Sequence, residues 1–310
     1  MRNLELRREG EIMRSFECVT DKNYERMNKW PLWVIAIAVT MFFQVVPCAA
    51  EKDRLVFGAI AVGKVSQVRK SLTPLIQYLE KETGTQIGFE TGKDYLDTIE
   101  KFKSGYFDFG FIGPSPYVIA TQEGEGPGNF IVIAGLETKG QPFYHAVIVA
   151  ARNNGGINSL TDLKGKRFAF GSRQSTLSCY MPCKMLMDEG IFDTLSAYDF
   201  LGKHDKVARD VSMGSFDAGG IKEDIAKKNL DKIKIIAKSQ PVYDFLLIAH
   251  RDMNAGLVGK IRSSVLKLKD PAVLNSIVKG VTGFVETKDS NYDNLRKIMK
   301  EVDHKLGPAE

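Results

Sequence analysis

The chain has 310 residues, of which 44% are hydrophobic and 26% are charged, and its formal net charge is +5. This composition excludes a disordered chain, a collagen-like chain and a membrane protein with several spans, and the length predicts about two domains. The basic residues lack the clustering of a nucleic-acid-binding protein, so we expect no nucleic-acid partner. The mild positive charge is compatible with a small anionic ligand.

An uncharged and largely apolar segment occupies residues 30–50, between Lys29 and Glu51. Its length is near the lower limit of a membrane span, and its basic flank and small final residues also fit a secretory signal cleaved after Ala50. Cleavage would release the rest of the chain, whereas retention would anchor it as the sole membrane contact. The residues before Met27 fit no signal pattern, and we hypothesise that translation begins at Met27.

The exported part alternates short strands with amphipathic helices. Strands are predicted at 52–62, 86–91, 107–112, 129–136 and 146–151, with helices at 65–83, 94–104 and 117–122. A second series has strands at 167–171, 198–201, 216–219, 233–238 and 244–249, with helices at 159–163, 178–189, 203–213 and 222–227. Helices at 257–268 and 271–278 are predicted to finish the chain. The pattern predicts an α/β protein of two lobes, each with a mainly parallel sheet covered by helices on both faces.

Three polar motifs follow predicted strands and open predicted helices: residues 113–117 (GPSPY), 172–178 (SRQSTLS) and 203–205 (KHD). Ligands of open α/β sheets bind beyond the carboxyl ends of the strands, where hydroxyls, free N–H groups and helix dipoles favour an anion. His204 adds a donor, and Asp205 can accept from a protonated oxygen or an amine. Ser, Thr and Asp are also ordinary helix caps, so each motif alone leaves both alternatives open.

No motif of an enzyme or of a cofactor site stands out. The chain has no glycine-rich phosphate loop with Lys, no nucleophile elbow and no His-Glu-x-x-His motif. We therefore predict a protein that is not an enzyme and that has no cofactor and no metal site.

Cys179 and Cys183, the only cysteines of the exported part, share a face at the start of a predicted helix. They can be two buried apolar thiols, or a disulfide whose helical spacing lies within the permitted Cα range but is awkward. A metal site is a third alternative, although no histidine lies nearby in the sequence.

Taken in order, the motifs resemble those of the phosphate/phosphite/phosphonate-binding proteins of ABC importers. The resemblance covers roughly residues 52–285 and rests on 72–80 (LTPLIQYLE), Tyr95, 105–108 (GYFD), 113–117, Ser175, Thr176, Pro182, His204, Asp205 and 217–219 (DAG). Residues 217–220 (DAGG) also mirror 108–111 (DFGF), which suggests one plan for both lobes. The resemblance implies a periplasmic binding protein of the type II fold, with two crossover hinge strands. Lobe 1 would be 51–143 with 247–310, lobe 2 would be 144–246, and the hinge strands would be 145–150 and 245–250.

The resemblance also implies a function and a set of site residues. The protein would close around a small oxyanion (phosphonate, phosphite or phosphate) and deliver it, as a periplasmic monomer, to an ABC transporter permease. Ligand contacts are implied for Tyr95, Ser115, Tyr117, Ser175, Thr176, Ser178, His204 and Asp205, with His145 and Lys203 as weaker candidates. Lys203 stands where the family often has Ser, and Leu177 departs from its Ser-Thr-Ser-Gly pattern. A membrane-anchored sensory ectodomain that binds a different anion therefore remains the alternative.

Overall fold

The computed structural model describes residues 54–60, 65–122 and 126–309. The segment at 1–50, predicted to be an extension with a signal or an anchor, lies outside them. Within the described residues, no helix combines the length and the apolar character that a membrane crossing requires.

Strands and helices alternate along the described chain, with bounds close to those that the sequence predicts. The strands are β1 (Arg54–Ala59), β2 (Gln86–Thr91), β3 (Phe109–Ile112), β4 (Phe130–Thr138), β5 (Phe143–Tyr144), β6 (Ala146–Ala151), β7 (Arg167–Phe170), β8 (Ala197–Phe200), β9 (Ala218–Lys222), β10 (Ile233–Lys238), β11 (Val242–Tyr243), β12 (Leu246–His250) and β13 (Val281–Val285). The α-helices are α1 (Val65–Thr83), α2 (Tyr95–Lys103), α3 (Pro114–Gln122), α4 (Met181–Asp188), α5 (His204–Ser212), α6 (Glu223–Lys227), α7 (Ala255–Lys267), α8 (Pro271–Ile277) and α9 (Asp293–Leu306).

Two separate sheets form the cores of two lobes. The first has the strand order β13-β4-β12-β3-β1-β2, and the second has the order β10-β6-β9-β7-β8. Strands β1, β2 and β3 are parallel, as are β7, β8 and β9, whereas β12 and β6 run antiparallel to their neighbours. Both sheets therefore contain parallel and antiparallel strands, whereas the alternation of elements predicted mainly parallel sheets.

The connection between the lobes is a small third sheet formed by β5 and β11. Val242 pairs with Tyr144 and Tyr243 with Phe143 in antiparallel register. The predicted hinge strands at 145–150 and 245–250 are wrong, because β6 and β12, which occupy these residues, belong to the sheets of the lobes. The connection is formed by the preceding strand in each case. A strand of two residues has no alternating apolar pattern, so the sequence does not reveal β5 and β11.

The chain does not finish after α8, as the sequence analysis expects, but continues through β13 and α9. Gly283 interrupts the apolar run of β13, whereas α9 buries Leu295, Ile298, Met299 and Val302 at helical spacing. Helix α9 packs against both α3 and α4. An ion pair of 2.7 Å between Arg173 Nη2 and Asp303 Oδ1 ties it to the second lobe.

The predicted likeness between residues 108–111 and 217–220 has a structural basis. Asp108 Oδ2 accepts a hydrogen bond of 2.8 Å from the backbone N–H of Val56, and Asp217 Oδ2 accepts one of 2.8 Å from that of Arg167. In each lobe the carboxylate thus joins one parallel strand to the strand beside it.

Cys179 and Cys183 are free thiols, and both are fully buried. Burial raises the pKa of Cys179 to about 12 and raises that of Cys183 as well. The structure therefore corresponds to the first of the three alternatives, two buried apolar thiols.

Candidate functional site

A cavity of about 250 Å³ lies between the two lobes, where strands of both sheets end. We call it the cradle cavity. It is lined by Ile60, Tyr95, Gly113, Pro116, Tyr144, Ser175, Thr176, Leu177, His204, Asp205, Lys222, Asp224, Ile225, Lys228, Phe245 and Val278. These residues come from the ends of β1, β3 and β9, from the starts of α2, α3 and α5, and from the hinge, as expected for a ligand site of an α/β protein.

The second-lobe wall of the cradle cavity begins with a tight turn at Ser175. Ser175 Oγ accepts from the backbone N–H of Ser178 at 3.2 Å, and a π-helical turn follows at Thr176–Tyr180. Such turns are frequent at functional sites. The turn lies very close to the sheet, since a Cβ atom on Gly220 would be 2.4 Å from Pro182 Cγ. Glycine at position 220 of β9 therefore allows the chain around this turn to pack closely against the sheet.

One polar cluster in the cradle cavity is centred on Ser175. Tyr95, from the start of α2, lies beside Ser175, and His204 Nε2 lies 3.5 Å from Ser175 Oγ. Burial raises the pKa of Tyr95, so its hydroxyl keeps its proton and can donate. The cluster brings a residue of the first lobe together with two of the second.

His204 is held in one tautomer by the backbone. Its Nδ1 accepts a hydrogen bond of 3.1 Å from the N–H of Lys222, so the proton of the neutral ring is on Nε2, toward Ser175. Burial, together with the charge of Lys222, lowers the pKa of His204 to about 4. His204 therefore presents a neutral N–H donor to the cavity at neutral pH.

A second polar cluster is centred on Thr176 and joins the two lobes. Thr176 Oγ1 accepts from the backbone N–H of Ser115 at 2.9 Å and lies 2.7 Å from Ser115 Oγ. Ser115 Oγ donates its one proton to the carbonyl of Gln174 at 2.6 Å, so Thr176 donates to Ser115. Tyr144, from the hinge, lies beside Thr176 and lines the same cavity. Thr176 thus lines the cavity and connects both lobes.

Two predicted site residues lie elsewhere because their hydroxyls have other partners. Tyr117 is fully buried, and its hydroxyl donates to Asp289 Oδ1 at 2.7 Å. The Ser178 hydroxyl donates to the carbonyl of Gly220 and holds the turn against β9. Neither of these two is among the described residues that line the cradle cavity. Ser115 is also fully buried and contacts the opposite lobe rather than the cavity.

The three remaining candidates differ in their positions. Asp205 lies in the exposed first turn of α5 and lines the cavity. Lys203 caps the same helix, is exposed, and is not one of the described lining residues. His145 donates through Nδ1 to the carbonyl of Ser239 at 2.9 Å and faces a neighbouring cavity.

Sequence reasoning missed Tyr144, Lys222 and Asp224. Lys222 lies at the end of β9, directly before α6, and its Nζ lies 5.1 Å from the centroid of the Tyr144 ring. The rule that drew attention to 172–178 and 203–205 applies here too, because polar residues follow a strand and open a helix. The sequence prediction ended this strand at 219 and began the next helix at Lys222, so the strand end and helix start were indicated but were not included in the predicted site.

The fold and this cleft define a two-lobed binding protein with an anion-compatible site between its lobes. The sequence model of the family described as ABC transporter, phosphonate, periplasmic substrate-binding protein matches residues 57–292. The chain belongs to this family, whose members bind and deliver substrates rather than catalyse reactions.

Individual relatives are consistent with this assignment. The chain is 26% identical to the phosphate-import protein PhnD of Mycolicibacterium smegmatis over 79% of its own length and 85% of the relative's. It is 22% identical to a probable phosphite-binding protein, PhnD1 of Prochlorococcus marinus, over 83% of its length and 92% of the relative's. The solved structure of PhnD1 in complex with methylphosphonate has a TM-score of 0.71 at 23% identity, covering 82% of this chain and 98% of that one.

Proposed function

We propose that the protein binds a small phosphorus oxyanion, of the phosphonate, phosphite or phosphate type, in the cradle cavity and delivers it to an ABC permease. The observation that carries this proposal is the convergence of uncharged donors from both lobes and the hinge on one cavity. Tyr95, Tyr144, Ser175, Thr176 and His204 are these donors. The names of the relatives, which refer to phosphate, phosphite and methylphosphonate, support the same ligand class.

Binding in this site would favour the closed arrangement of the lobes. Ligand oxygens would accept hydrogen bonds from Tyr95 of the first lobe and from Ser175 and His204 of the second, in place of water. The Thr176 hydroxyl would turn its proton from Ser115 to the ligand. Because these donors lie on different lobes, a ligand that contacts both is bound more tightly in the closed state and shifts the population toward it. Lys222 adds a positive charge at the same cavity.

The carboxylate of Asp205 supports a preference for a protonated or substituted oxyanion. A carboxylate repels a fully ionised oxyanion but accepts a hydrogen bond from an acidic hydroxyl. Phosphate and phosphite carry such a hydroxyl near neutral pH, whereas sulfate does not. We therefore expect sulfate to bind at least about tenfold more weakly, a difference of ~1.4 kcal/mol.

The proposal also covers the cellular location and the oligomeric state of the protein. The protein acts in the periplasm, reached through the segment at 30–50 as a signal or an anchor, and it acts as a monomer because one chain supplies every wall of the cavity. Size-exclusion chromatography with light scattering of the exported protein tests the monomer, and a mature N-terminus near Glu51 would identify cleavage.

Isothermal titration calorimetry of the purified protein tests the ligand proposal. Methylphosphonate, phosphite, phosphate and sulfate are titrated in turn, with the same titrations of T176A as the site control. The proposal expects at least one phosphorus oxyanion to bind, sulfate to bind more weakly, and T176A to lose affinity. No heat of binding from any phosphorus oxyanion would refute it.

A further inference from the structure

A second cavity, of about 390 Å³, adjoins the cradle cavity on the hinge side. We call it the side cavity. It shares Tyr144, Lys222 and Asp224 with the cradle cavity, so the two cavities adjoin at the Lys222 side chain. A bare phosphate that is held at Ser175 and Thr176 would leave the side cavity to water. A substituent on phosphorus therefore has room on the far side of Lys222.

Two lysines from opposite lobes share a single carboxylate in the side cavity. Lys139 Nζ lies 3.9 Å from Asp224 Oδ1, and Lys222 Nζ lies 3.9 Å from Asp224 Oδ2. Both separations are ion-pair distances that are too long for hydrogen bonds. Among the described residues, neither ammonium group has a closer acceptor. Each therefore retains N–H donors for an incoming group.

The other charged residues of the side cavity have partners of their own. Glu223 Oε1 is bound by Lys227 at 2.8 Å and by Lys238 at 3.2 Å. Asp244 is 3% exposed, and its carboxylate accepts from the backbone N–H of Phe245 at 2.8 Å. Lys227 is committed to Glu223, and His145 donates to a backbone carbonyl. Burial raises the pKa of Asp244, which also interacts with Lys222. The lysines that keep N–H donors for a ligand are thus Lys139 and Lys222.

We propose that Lys139 and Lys222 form a subsite for a second anionic group, such as a carboxylate, on a substituted phosphonate whose phosphorus lies in the cradle cavity. The subsite rests on the proposed function and names its ligand class more closely. Lys222 is largely enclosed, with 24% of its side chain exposed, whereas Lys139 is 65% exposed at the entrance. A distal anion between them contacts both lobes and stabilises the closed state. A distal ammonium would instead meet the positive charges of the two lysines that face Asp224.

Three phosphonates of similar size test the subsite by calorimetry: carboxyethylphosphonate, propylphosphonate and aminoethylphosphonate. The carboxylate compound is expected to bind the native protein at least about tenfold more tightly than the propyl compound, and the ammonium compound no more tightly than the propyl compound. The measured quantity is the ratio of the affinities for carboxyethylphosphonate and propylphosphonate. A change in the cradle cavity affects both compounds equally and leaves this ratio unchanged. This ratio should also fall as salt increases, since screening weakens an ionic contact.

Variants locate the effect within the cavity. K139M and K222M should each bring the carboxyethyl-to-propyl ratio close to one, whereas the matched control K227M, whose ammonium is committed to Glu223, should leave it unchanged. A native ratio near one, a preference for the ammonium compound, or an equal loss in K139M and K227M would each overturn the subsite while leaving the proposed function in place. Failure of all three phosphonates to bind, with methylphosphonate, phosphite or phosphate still bound, would overturn the subsite alone. Failure of every one of these phosphorus oxyanions to bind would overturn both.

Discussion

The two lobes are built on one plan but use their serines differently. In each lobe an aspartate, Asp108 or Asp217, joins neighbouring parallel strands, and a serine lies at a helix start at the cleft. In the first lobe, Ser115 is buried and hydrogen-bonds to Gln174 and Thr176 of the other lobe. In the second lobe, Ser175 and Thr176 line the cavity. The first-lobe helix start therefore joins the two lobes, whereas the second-lobe turn lines the cavity.

The difference follows from how each helix start meets its surroundings. Helix α3 is apolar and buried almost all round, so its polar groups at the start bond only across the lobe contact. The turn at Thr176–Tyr180 lies over Gly171 and Gly220, close to the sheet, and its first residues remain at the cleft. A serine at a helix start is thus a ligand contact only where the chain beside it leaves room for the ligand.

Thr176→Ala should cause the largest change in ligand affinity, because it removes a cavity hydroxyl and the acceptor for Ser115 at once. Loss of a hydrogen bond to a charged group costs about 1–3 kcal/mol, roughly tenfold to hundredfold in affinity for methylphosphonate. Calorimetry measures it. Thr161→Ala, at an exposed turn far from the cavity residues, is the control and should bind normally. An unchanged affinity in Thr176→Ala would mean that the hydroxyl serves only the contact between the lobes.

Gly220→Ala should destabilise the protein and weaken binding together. The added methyl would meet Pro182 Cγ at 2.4 Å, and relief of such a clash typically costs about 1–3 kcal/mol. Because Pro182 closely follows the turn at Thr176–Tyr180, a shift of Pro182 would also move this turn at the cleft. Thermal unfolding and calorimetry measure the two effects. Gly155→Ala, where nothing lies within 4 Å, is the matched control. A stable variant with normal affinity would show that this close approach does not position the donors.

Ser115→Ala should weaken binding less than Thr176→Ala, and through closure. It removes the hydroxyl bonds to Gln174 and Thr176 but keeps the backbone donor, at a cost of about 0.5–1.5 kcal/mol. Small-angle scattering without ligand should show a more open molecule, whereas the exposed control Ser263→Ala should match the native protein. A loss of affinity as large as that of Thr176→Ala, with unchanged scattering, would instead place Ser115 among the direct ligand contacts.

Acid should destabilise the native protein relative to His204→Gln. The unfolded chain protonates this histidine near its ordinary pKa of 6.5, whereas the folded protein does so only near about 4. Between these values the unfolded state binds more protons, so the free energy of unfolding falls as the pH falls through this window. Urea unfolding of both proteins at several pH values measures the difference, and other groups cancel in the comparison. A constant difference would contradict a neutral His204 in the cavity wall.

The sequence predicted those parts of the molecule that have a regular pattern. Helix 65–83 and strands 86–91, 146–151 and 233–238 have their predicted bounds, because apolar spacing follows burial directly. The hinge strands β5 and β11 were missed because each has two residues. Strand β13 was missed because Gly283 interrupts its apolar sequence. The apolar spacing of α9 was present in the sequence but was overlooked.

The candidate site was predicted in its location but only partly in its residues. Strand ends and helix starts indicated the cleft, and Tyr95, Ser175, Thr176, His204 and Asp205 line it. Spacing cannot show which way a hydroxyl points, so Tyr117 and Ser178, which bond to Asp289 and Gly220, were included. Lys222 was missed although it opened a predicted helix, because the site was assigned only from the motifs at 113–117, 172–178 and 203–205.

A crystal structure of the protein with bound methylphosphonate tests the central claim most directly. The account predicts phosphonate oxygens within hydrogen-bond distance of Thr176 Oγ1 and His204 Nε2, with the methyl group directed toward Lys222 and the side cavity. A phosphonate bound outside the cradle cavity, or one that contacts neither Thr176 nor His204, would contradict it.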